Sequence, residues 1–441
     1  MFARTAVLSL ALSYVSGSVA ALDLDVSSRD SIVSVTKTLA NEIVTFYKET
    51  LSRTGIPGIL PRPYNWWEAG VVFNGLIEYS NLTSDTQYDS LISEGILWQK
   101  GENHTFMPLN QTEHPLNDDQ CAWAQTAMTA AEFGFPIPNN ESWVDMAIDV
   151  FDALTMRWDS GYCDVGLRVE RYFKEGYDYA QTSANSDFFL LASRLARFTG
   201  NDTYAEWAEK IFDWAKEIGL ITDDYNVYGA RRDCTTINDI QWTYEHGLLT
   251  EGAAVMYNIT GGKQKWADAV KGLVNTTSVF LEDGIFTETV CDEGGRCEPD
   301  NRAYKGVAAR SYARAVVAAP AVADSLDKML VIAAEAAVAA CNHTGTAEVR
   351  CSQSWVEGGR WSEFGKASDG NLGDIFNAME AVQGLLYLPA KARVPMNITG
   401  GPEDKGDTGA SEKADGASGA GARAAGITAV LAVAFAAALM C

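Results

Sequence analysis

Apolar residues recur at helical spacing through most of this chain, and this periodicity constrains the fold more than any other feature. The segment 202–218 is typical, because its large apolar residues would share one stripe of a helix: Tyr204, Trp207, Ile211, Trp214 and Ile218. The same pattern predicts twelve helices, over residues 29–52, 66–82, 85–99, 118–133, 141–158, 183–199, 202–218, 239–258, 263–282, 303–318, 320–341 and 371–388. Strand-like alternation is scarce, and only VYGARRDCTT and GLRVERYF are predicted as short hairpin strands.

The number of helices decides between the helical fold classes. Twelve helices of about 15 to 25 residues, joined by short turns, are too many for the core of one bundle. An α-solenoid is an alternative, but a solenoid shows a fixed sequence period, which this chain lacks. We therefore predict an all-α fold in which residues 22–395 form an (α/α)6 toroid, a barrel of six helical hairpins. The loops at one end of its inner helices would form a concave cleft.

The amino terminus has the pattern of a secretory signal peptide. Residues 1–21 contain one basic residue, Arg4, then an apolar run too short to span a bilayer, and small residues before the predicted cleavage point. Nine N-x-S/T sequons agree with secretion and predict a glycosylated surface: Asn81, Asn103, Asn110, Asn140, Asn201, Asn258, Asn275, Asn342 and Asn397.

The carboxyl terminus has the pattern of a GPI-attachment signal. Residues 396–423 form a linker of mostly small and polar residues, and residues 424–441 are apolar with no charged residue after them. A transmembrane tail is the alternative, but such a helix normally needs about 20 apolar residues and flanking charge. We predict that the apolar tail is removed and that the anchor is attached within the linker, with Gly416, Ser418 and Gly419 as the ω candidates.

The cysteine count is odd once the tail is removed. Seven of the eight cysteines remain without Cys441, and a secreted chain keeps them in an oxidising compartment. The pairs Cys291–Cys297 and Cys341–Cys351 would close short loops, and Cys163–Cys234 is a plausible third pair. By elimination, Cys121 would be the free thiol. The sequence alone leaves this connectivity open.

The charge and the histidine count exclude several function classes. A net charge of −24 argues against nucleic acid and anionic membrane surfaces as partners, whereas a neutral glycan is compatible with it. Of the four histidines, two lie in sequons, and only His114 and His246 remain for histidine-dependent catalysis. The motifs HExxH, GxSxG and GxxxxGK[ST] do not occur. We therefore expect carboxylate chemistry, with no metal or cofactor.

Two adjacent aspartates open a predicted helix in the sequence PLNDDQCAWAQTAMTAAEF. One interpretation is helix capping, because Asn117 is a good N-cap and Gln120 lies three residues later. The helix dipole also favours Asp118 and Asp119 in the first turn. The other interpretation is a catalytic pair, because retaining glycoside hydrolysis needs two carboxyl groups about 5–5.5 Å apart.

Aromatic and polar side chains crowd the helix starts around this pair, as a sugar-binding cleft requires. They are Tyr64, Asn65, Trp66, Trp67, Glu68, Trp123, Gln241, Trp242, Thr243 and Tyr244. These clusters begin alternate helices, so a toroid would place them at the same end, although any single tryptophan can equally be core packing. We predict Asp118 as nucleophile and Asp119 as acid/base, because burial and a neighbouring charge would raise the pKa of Asp119. The opposite order stays open.

An ordered series of motifs resembles glycoside hydrolase family 76, and more narrowly its fungal GPI-anchored mannan endo-1,6-α-mannosidase-like cell-wall members. The motifs are PYNWWEAG, NQTEHPLNDDQCAWAQTAMTAAEFGFP, CDVGLR, SANSDFFLLASRLARFTGNDTYAEWAEKIFDW and QWTYEHG. The resemblance runs from about Thr36 to Leu388. It implies an (α/α)6 barrel that cleaves α-1,6-mannosidic bonds with retention, through an aspartate pair that matches Asp118 and Asp119.

The resemblance also implies substrate contacts at positions that match the cleft motifs of the family. These are Trp66, Trp67, Arg168, Asn185, Gln241, Trp242, Tyr244 and Lys305. The chain departs from the family pattern at three places. CDVGLRVE lacks a tryptophan position, Glu245 stands where an asparagine is expected, and Cys121 follows the aspartate pair.

The leading hypothesis is a GPI-anchored, monomeric retaining endo-1,6-α-mannosidase or transglycosidase in the cell wall. Its donor would be α-1,6-mannan or the GPI-linked mannan core, with water or wall glucan as acceptor. An enzyme acting on uronides is disfavoured, because the chain is acidic and has no obvious basic cleft motif. A non-catalytic wall glycan-binding protein is the other alternative, but a pure binder has no need of two repelling carboxylates.

Overall fold

Twelve α-helices form most of the structure, a computed structural model in which residues 19–111, 116–170, 178–344, 348–356 and 365–395 are described. They are α1 (Arg29–Thr54), α2 (Trp66–Thr83), α3 (Asp89–Gln99), α4 (Asn117–Glu132), α5 (Trp143–Thr155), α6 (Thr182–Thr199), α7 (Asp202–Glu217), α8 (Thr243–Ile259), α9 (Gln264–Thr276), α10 (Tyr304–Ala318), α11 (Leu326–Ala339) and α12 (Leu372–Gly384). Each predicted helix is present, so the prediction of an all-α fold is confirmed.

Alternate helices form a closed ring. The even-numbered helices each contact the next in their series, and α12 contacts α2. The odd-numbered helices pack around this ring: α3, α5, α7 and α9 each contact the even-numbered helix before them, α1 contacts α12 and α2, and α11 contacts α10 and α12. This arrangement is the predicted (α/α)6 toroid.

Burial distinguishes the inner helices from the outer ones. Residues 184–196 of α6 are all buried, whereas α7 buries one stripe that includes Tyr204, Ile211 and Trp214. Small residues let the inner helices approach closely. At Gly247 of α8, an added Cβ would lie 2.7 Å from the Cα of Ala308 in α10, so a larger side chain would push the two helices apart.

Buried ion pairs join the inner helices. Arg194 of α6 lies 2.7 Å from Glu132 of α4, and Arg314 of α10 lies 2.8 Å from Glu78 of α2. Arg314 also lies 3.3 Å from Glu251 of α8. Because a buried charge is costly unless it is paired, these contacts tie five of the six inner helices to one arrangement.

Short strands lie in the loops. β1 (Val19–Ala21), β7 (Cys341–Thr344) and β8 (Glu348–Cys351) form one sheet, β2 (Ala180–Gln181), β3 (Ala230–Arg232) and β4 (Thr236–Asn238) a second, and β5 (Leu281–Glu282) and β6 (Ile285–Phe286) a hairpin. The hairpin predicted in VYGARRDCTT is present as β3 and β4. In GLRVERYF, the described residues 166–170 contribute only an isolated bridge from Gly166 to Asp159.

Three disulfides match the predicted pairing. Cys163 bonds to Cys234, Cys291 to Cys297 and Cys341 to Cys351, and Cys121 is a buried free thiol.

Six of the nine sequon asparagines are exposed: Asn81, Asn103, Asn140, Asn201, Asn258 and Asn275. Asn342 is half-buried, and the side chains of Asn110 and Asn397 lie outside the described residues. Glycosylation of these sites stays a prediction.

The predicted processing signals fall largely outside the described residues. These are the signal peptide before Val19, the linker, the apolar tail, and the ω candidates Gly416, Ser418 and Gly419. Within the described ranges, no helix has the length and apolar character to cross a membrane.

His246 is buried in the ring and does not line the cleft described below. Its Nδ1 lies 2.8 Å from the hydroxyl of Tyr312 and its Nε2 lies 3.0 Å from that of Thr276. Burial lowers the pKa of His246 to about 3. The other histidine considered for catalysis, His114, lies outside the described residues.

This lowered pKa predicts a loss of stability in acid. Below pH of about 6.5 the unfolded chain binds a proton at His246 that the folded chain does not bind. The free energy of unfolding should therefore fall by about 1.4 kcal/mol per pH unit from this residue alone, until the pH approaches the folded pKa. Urea unfolding from pH 7 to pH 5 measures it, and His246→Gln should flatten the slope. An unchanged slope in that variant would contradict the prediction.

Candidate active site

A cleft of about 950 Å³ opens at the end of the ring where the inner helices begin. The first turns of five inner helices and the loops before them supply its lining. The predicted catalytic and cleft residues among the lining are Tyr64, Asn65, Trp66, Trp67, Asp118, Asp119 and Tyr244. The toroid therefore brings residues from the starts of α2, α4, α6, α8 and α10, which are far apart in the sequence, into one cleft.

The helix that carries the aspartate pair begins differently from the prediction. α4 starts at Asn117, whose side chain donates to the carbonyl of Arg168 at 2.7 Å instead of capping the helix. Gln120 likewise donates to a backbone carbonyl 15 residues away. Asp119 contributes at the helix start, because its Oδ2 accepts from the backbone N–H of Leu116 at 3.0 Å. The capping interpretation is thus wrong for Asn117 and Gln120, whereas Asp118 and Asp119 do lie in the first turn.

Asp118 is held by two donors. The hydroxyl of Ser183 donates to its Oδ2 at 3.0 Å, and the backbone N–H of Asp119 donates to its Oδ1 at 3.0 Å. Both carboxyl groups are half-buried and line the cleft. The first turn of α4 therefore presents two adjacent carboxyl groups, and Asp118 has two donors that stabilise a carboxylate whereas Asp119 has the Leu116 N–H.

The surroundings move the two pKa values in the same direction but with different causes. Burial raises the pKa of Asp118, and the hydrogen bonds from Ser183 and from the N–H of Asp119 oppose that shift. Burial, and then the charge of Asp118, raise the pKa of Asp119 well above its ordinary value. Asp119 should thus keep its proton when Asp118 is ionised, which is the arrangement that an acid and a nucleophile require.

Ser183→Ala is expected to lower kcat/KM on a mannan oligomer by about ten- to a hundredfold, because a hydrogen bond to a charged group is lost. Loss of the donor should also raise the pKa of Asp118, so that the acidic limb of the pH–rate profile moves to higher pH. A pH series of initial rates measures this, with Ser183→Thr as the variant that keeps the hydroxyl. If both variants keep the wild-type acidic limb, Ser183 does not stabilise the carboxylate.

Aromatic rings build the wall beside the pair. Trp67 packs edge-on against Tyr244 at 5.7 Å between ring centroids, and Tyr304 lies 5.1 Å from Tyr244. Trp66 stacks at 5.3 Å on Trp123, which is fully buried behind the wall. Trp123 is therefore core packing that supports Trp66, and the exposed faces of the cleft aromatics are those that a sugar ring can reach.

Three predicted substrate contacts lie elsewhere in the structure. Lys305 is fully buried and donates to Asp292 at 2.6 Å. The amide of Asn185 is buried and exchanges hydrogen bonds with the backbone of Leu167. Arg168 is nine-tenths buried and pairs with Asp159 at 2.6 Å. Each of these side chains bonds to another part of the chain and is not among the residues that line the cleft, so a role in substrate contact stays a prediction.

Two more predicted contacts lie beside the cleft but not among its lining residues. The Oε1 of Gln241 accepts from the backbone N–H of Val227 at 3.3 Å. Trp242 packs edge-on against Tyr304 at 5.5 Å. Both are half-buried, and their contacts support the loop before α8 and a cleft aromatic.

Glu245, where the resemblance led us to expect asparagine, is buried next to Tyr244 in the first turn of α8. Its Oε2 has no hydrogen-bond partner among the described residues. Burial, and then the charges of Glu288 and Asp118, raise its pKa well above the ordinary value. We therefore expect Glu245 to be neutral, and it adds no charge to the cleft.

The sequence analysis gave no role to four polar residues of the cleft, Arg62, Gln111, Ser183 and Asp300, of which the last two bear on the chemistry. Ser183 was in a quoted motif without a role, and Asp300 lies just before α10 in a loop that carried no recognised signal. The position of Asp300 directly before an inner helix was the available clue, since the other cleft residues share it.

Comparisons with known proteins identify the family of this chain. The family model Glycosyl hydrolase family 76 matches residues 31–397. Mannan endo-1,6-alpha-mannosidase DFG5 of Saccharomyces cerevisiae is 36% identical over 401 residues, which cover 88% of this chain and 85% of that protein.

Solved structures share the fold. Dfg5 from Chaetomium thermophilum, in complex with glucosamine, is 36% identical and superposes with a TM-score of 0.75, covering 82% of this chain and 92% of that one. An inactive variant of the α-1,6-mannanase GH76A of Salegentibacter sp. HEL1_6, in complex with α-1,6-mannotriose, is 16% identical. It superposes with a TM-score of 0.63, covering 80% of this chain and 99% of that one. From the family match and these likenesses, the chain belongs to glycosyl hydrolase family 76.

Proposed function

We propose that this protein is a retaining endo-1,6-α-mannosidase or transglycosidase that acts on α-1,6-mannan or on the GPI-linked mannan core. The adjacent carboxyl groups of Asp118 and Asp119, with their unequal surroundings in an aromatic cleft, carry the proposal. The names of the relatives support it, since DFG5 of Saccharomyces cerevisiae is called a mannan endo-1,6-alpha-mannosidase.

The proposed reaction is a double displacement. The carboxylate of Asp118 attacks the anomeric carbon, the glycosidic bond breaks, and Asp119 gives its proton to the leaving oxygen. Asp119 then takes a proton from an incoming hydroxyl, which attacks the same carbon and releases Asp118. Trp66, Trp67 and Tyr244 would hold the sugar against the pair.

The second step allows either hydrolysis or transfer. A covalent glycosyl-enzyme reacts with whichever hydroxyl reaches it, so water gives hydrolysis and a sugar gives transglycosylation. We propose the mannan core of a GPI glycan as a donor and wall glucan as an acceptor. The glucosamine in the solved Dfg5 structure supports an amino-sugar-containing donor.

The proposed location is the outer face of the plasma membrane or the cell wall, reached through the secretory route and a GPI anchor. The terminal sequence patterns and the exposed sequons support this proposal. Release of the protein from intact cells by a phosphatidylinositol-specific phospholipase would test the anchor. If this protein stays on the cells under conditions in which the phospholipase fully releases a control GPI protein, the result would count against the anchor.

The function is tested by incubating the purified protein with a defined α-1,6-mannan oligomer. We expect shortened chains, and lengthened chains if transfer occurs, with the new reducing end first appearing as the α-anomer in NMR spectra. Products of the opposite anomer would overturn the retaining mechanism. Absence of any product, with both mannan and GPI-glycan donors, would overturn the proposed activity.

A further inference from the structure

Asp300 is a third cleft carboxyl that the double displacement does not use. It lies in the short 3-10 turn Pro299–Asn301, just before α10, and lines the same cleft as Asp118 and Asp119. It is half-buried, so part of the carboxyl group is in contact with the cleft.

One oxygen of Asp300 is fixed by two donors from α2 and its start. Asn65 Nδ2 donates to Oδ1 at 2.6 Å, and Trp67 Nε1 donates to the same oxygen at 2.8 Å. No donor among the described residues bonds to Oδ2. The carboxyl is therefore oriented by one oxygen, and the other keeps its capacity to accept hydrogen bonds.

The loop that carries Asp300 is anchored on both sides. The Cys291–Cys297 disulfide closes the segment before it, and Arg302 lies 2.9 Å from Asp374 of α12 just after it. Lys305 pairs with Asp292 behind the loop. A side chain on such a support is pre-organised, which is what precise binding of a small ligand needs.

We infer that Asp300 is a substrate-binding residue whose Oδ2 accepts hydrogen bonds from ring hydroxyls of the sugar held against Trp67. This inference rests on the proposed function, because it needs a sugar in the cleft. A carboxylate is a strong acceptor for hydroxyls, and it pairs naturally with an aromatic face that contacts the C–H groups of the same ring. The same carboxylate adds a negative charge to the cleft that holds Asp118 and Asp119, in which a positively charged sugar transition state would form.

A purely structural role is the competing explanation, because Asp300 also holds the indole of Trp67. The two roles separate in a double-mutant cycle. Trp67→Phe keeps an aromatic face but removes the donor. If Asp300 only positions Trp67, then Asp300→Asn should have no further effect once Trp67 is phenylalanine. If Asp300 contacts the sugar, its replacement should weaken binding in both backgrounds.

The experiment measures binding of α-1,6-mannotriose by titration calorimetry to the full chain carrying Asp119→Asn, which prevents turnover. Adding Asp300→Asn should weaken binding by about ten- to a hundredfold, the usual effect of losing a hydrogen bond to a charged group. Asp300→Asn should also weaken binding at least several-fold relative to the Trp67→Phe variant when the two substitutions are combined. Glu298→Gln, an exposed acid on the same loop, should bind like the parent.

The outcomes separate the two proposals. Two outcomes overturn the inference but leave the proposed function standing, provided that the parent binds mannotriose. In the first, the Asp300→Asn variant binds mannotriose as tightly as the parent does. In the second, Asp300→Asn weakens binding in the parent but not in the Trp67→Phe background. If the parent, with a wild-type circular dichroism spectrum and melting temperature, does not bind mannotriose at all, both are overturned. A melting temperature of Asp300→Asn within a few degrees of the parent attributes weaker binding to the lost contact.

Discussion

Replacing Asp118 or Asp119 with asparagine is expected to reduce the initial rate on an α-1,6-mannan oligomer by about a hundred- to ten-thousandfold. Asparagine keeps the size of the side chain. At 118 its oxygen can still accept from the backbone N–H of Asp119 while its amide donates to the Ser183 hydroxyl, and at 119 its oxygen can still accept from the Leu116 N–H, so folding should change little. The loss would come from the missing nucleophile or the missing proton. Product analysis on a sized oligomer measures both variants.

The two variants should fail in different steps. With a substrate whose leaving group needs no proton, Asp119→Asn should still form the glycosyl-enzyme, visible as a burst or as a mass increase of one sugar. Asp118→Asn should form none. If Asp118→Asn gives the burst and Asp119→Asn does not, the roles are reversed.

A matched control separates chemistry from helix stability. Asp30 lies exposed in the first turn of α1, as the pair lies in the first turn of α4. Asp30→Asn should cost only the helix-dipole contribution of about 0.3–1 kcal/mol and leave the rate unchanged. If the Asp118 and Asp119 variants keep the wild-type rate, the pair is not catalytic and its carboxyl groups only serve the start of the helix.

The helices were predictable because burial of one face leaves a period in the sequence. The ends of the helices were less predictable, as α8 shows. Ile240 and Trp242 extend the apolar pattern, so the prediction began at residue 239, but the helix begins at Thr243. The loop residue Gln241 accepts from the backbone of Val227, a contact 14 residues away in sequence. Tertiary hydrogen bonds of this kind override the local pattern and leave no local signal.

In the site, too, local sequence features were predictable and tertiary contacts were not. Asp118 and Asp119 were recognisable because they are neighbours in sequence and their chemistry needs two close carboxyl groups. Asp300 accepts a hydrogen bond from Asn65, which lies 235 residues away in the sequence, and nothing in either segment alone predicts that contact. A motif also does not say which way a side chain points. Lys305 matched a family motif, but its ammonium is turned into the protein, toward Asp292.

That burial makes Lys305 the site of the largest expected effect on stability. Its Nζ donates to Asp292 Oδ2 at 2.6 Å and lies 4.6 Å from the ring centroid of Trp355. Lys305→Met keeps the length and apolar stem of the side chain but leaves Asp292 as a buried carboxylate with no cationic partner. Only the Glu288 N–H and the Gln353 amide among the described residues would still donate to it. Loss of one partner of a buried ion pair typically costs about 3–5 kcal/mol, and we expect a decrease of that size in the free energy of unfolding.

Urea unfolding at neutral pH measures this change, with Lys328→Met on the exposed face of α11 as the control that should differ little from wild type. The double variant Lys305→Met with Asp292→Asn removes both charges, so it should regain part of the lost stability. If the double variant is no more stable than Lys305→Met, the uncompensated charge is not the cause. Because the loop between Asp292 and Lys305 carries Asp300, the single variant should also raise KM for the mannan oligomer, although Lys305 itself does not line the cleft.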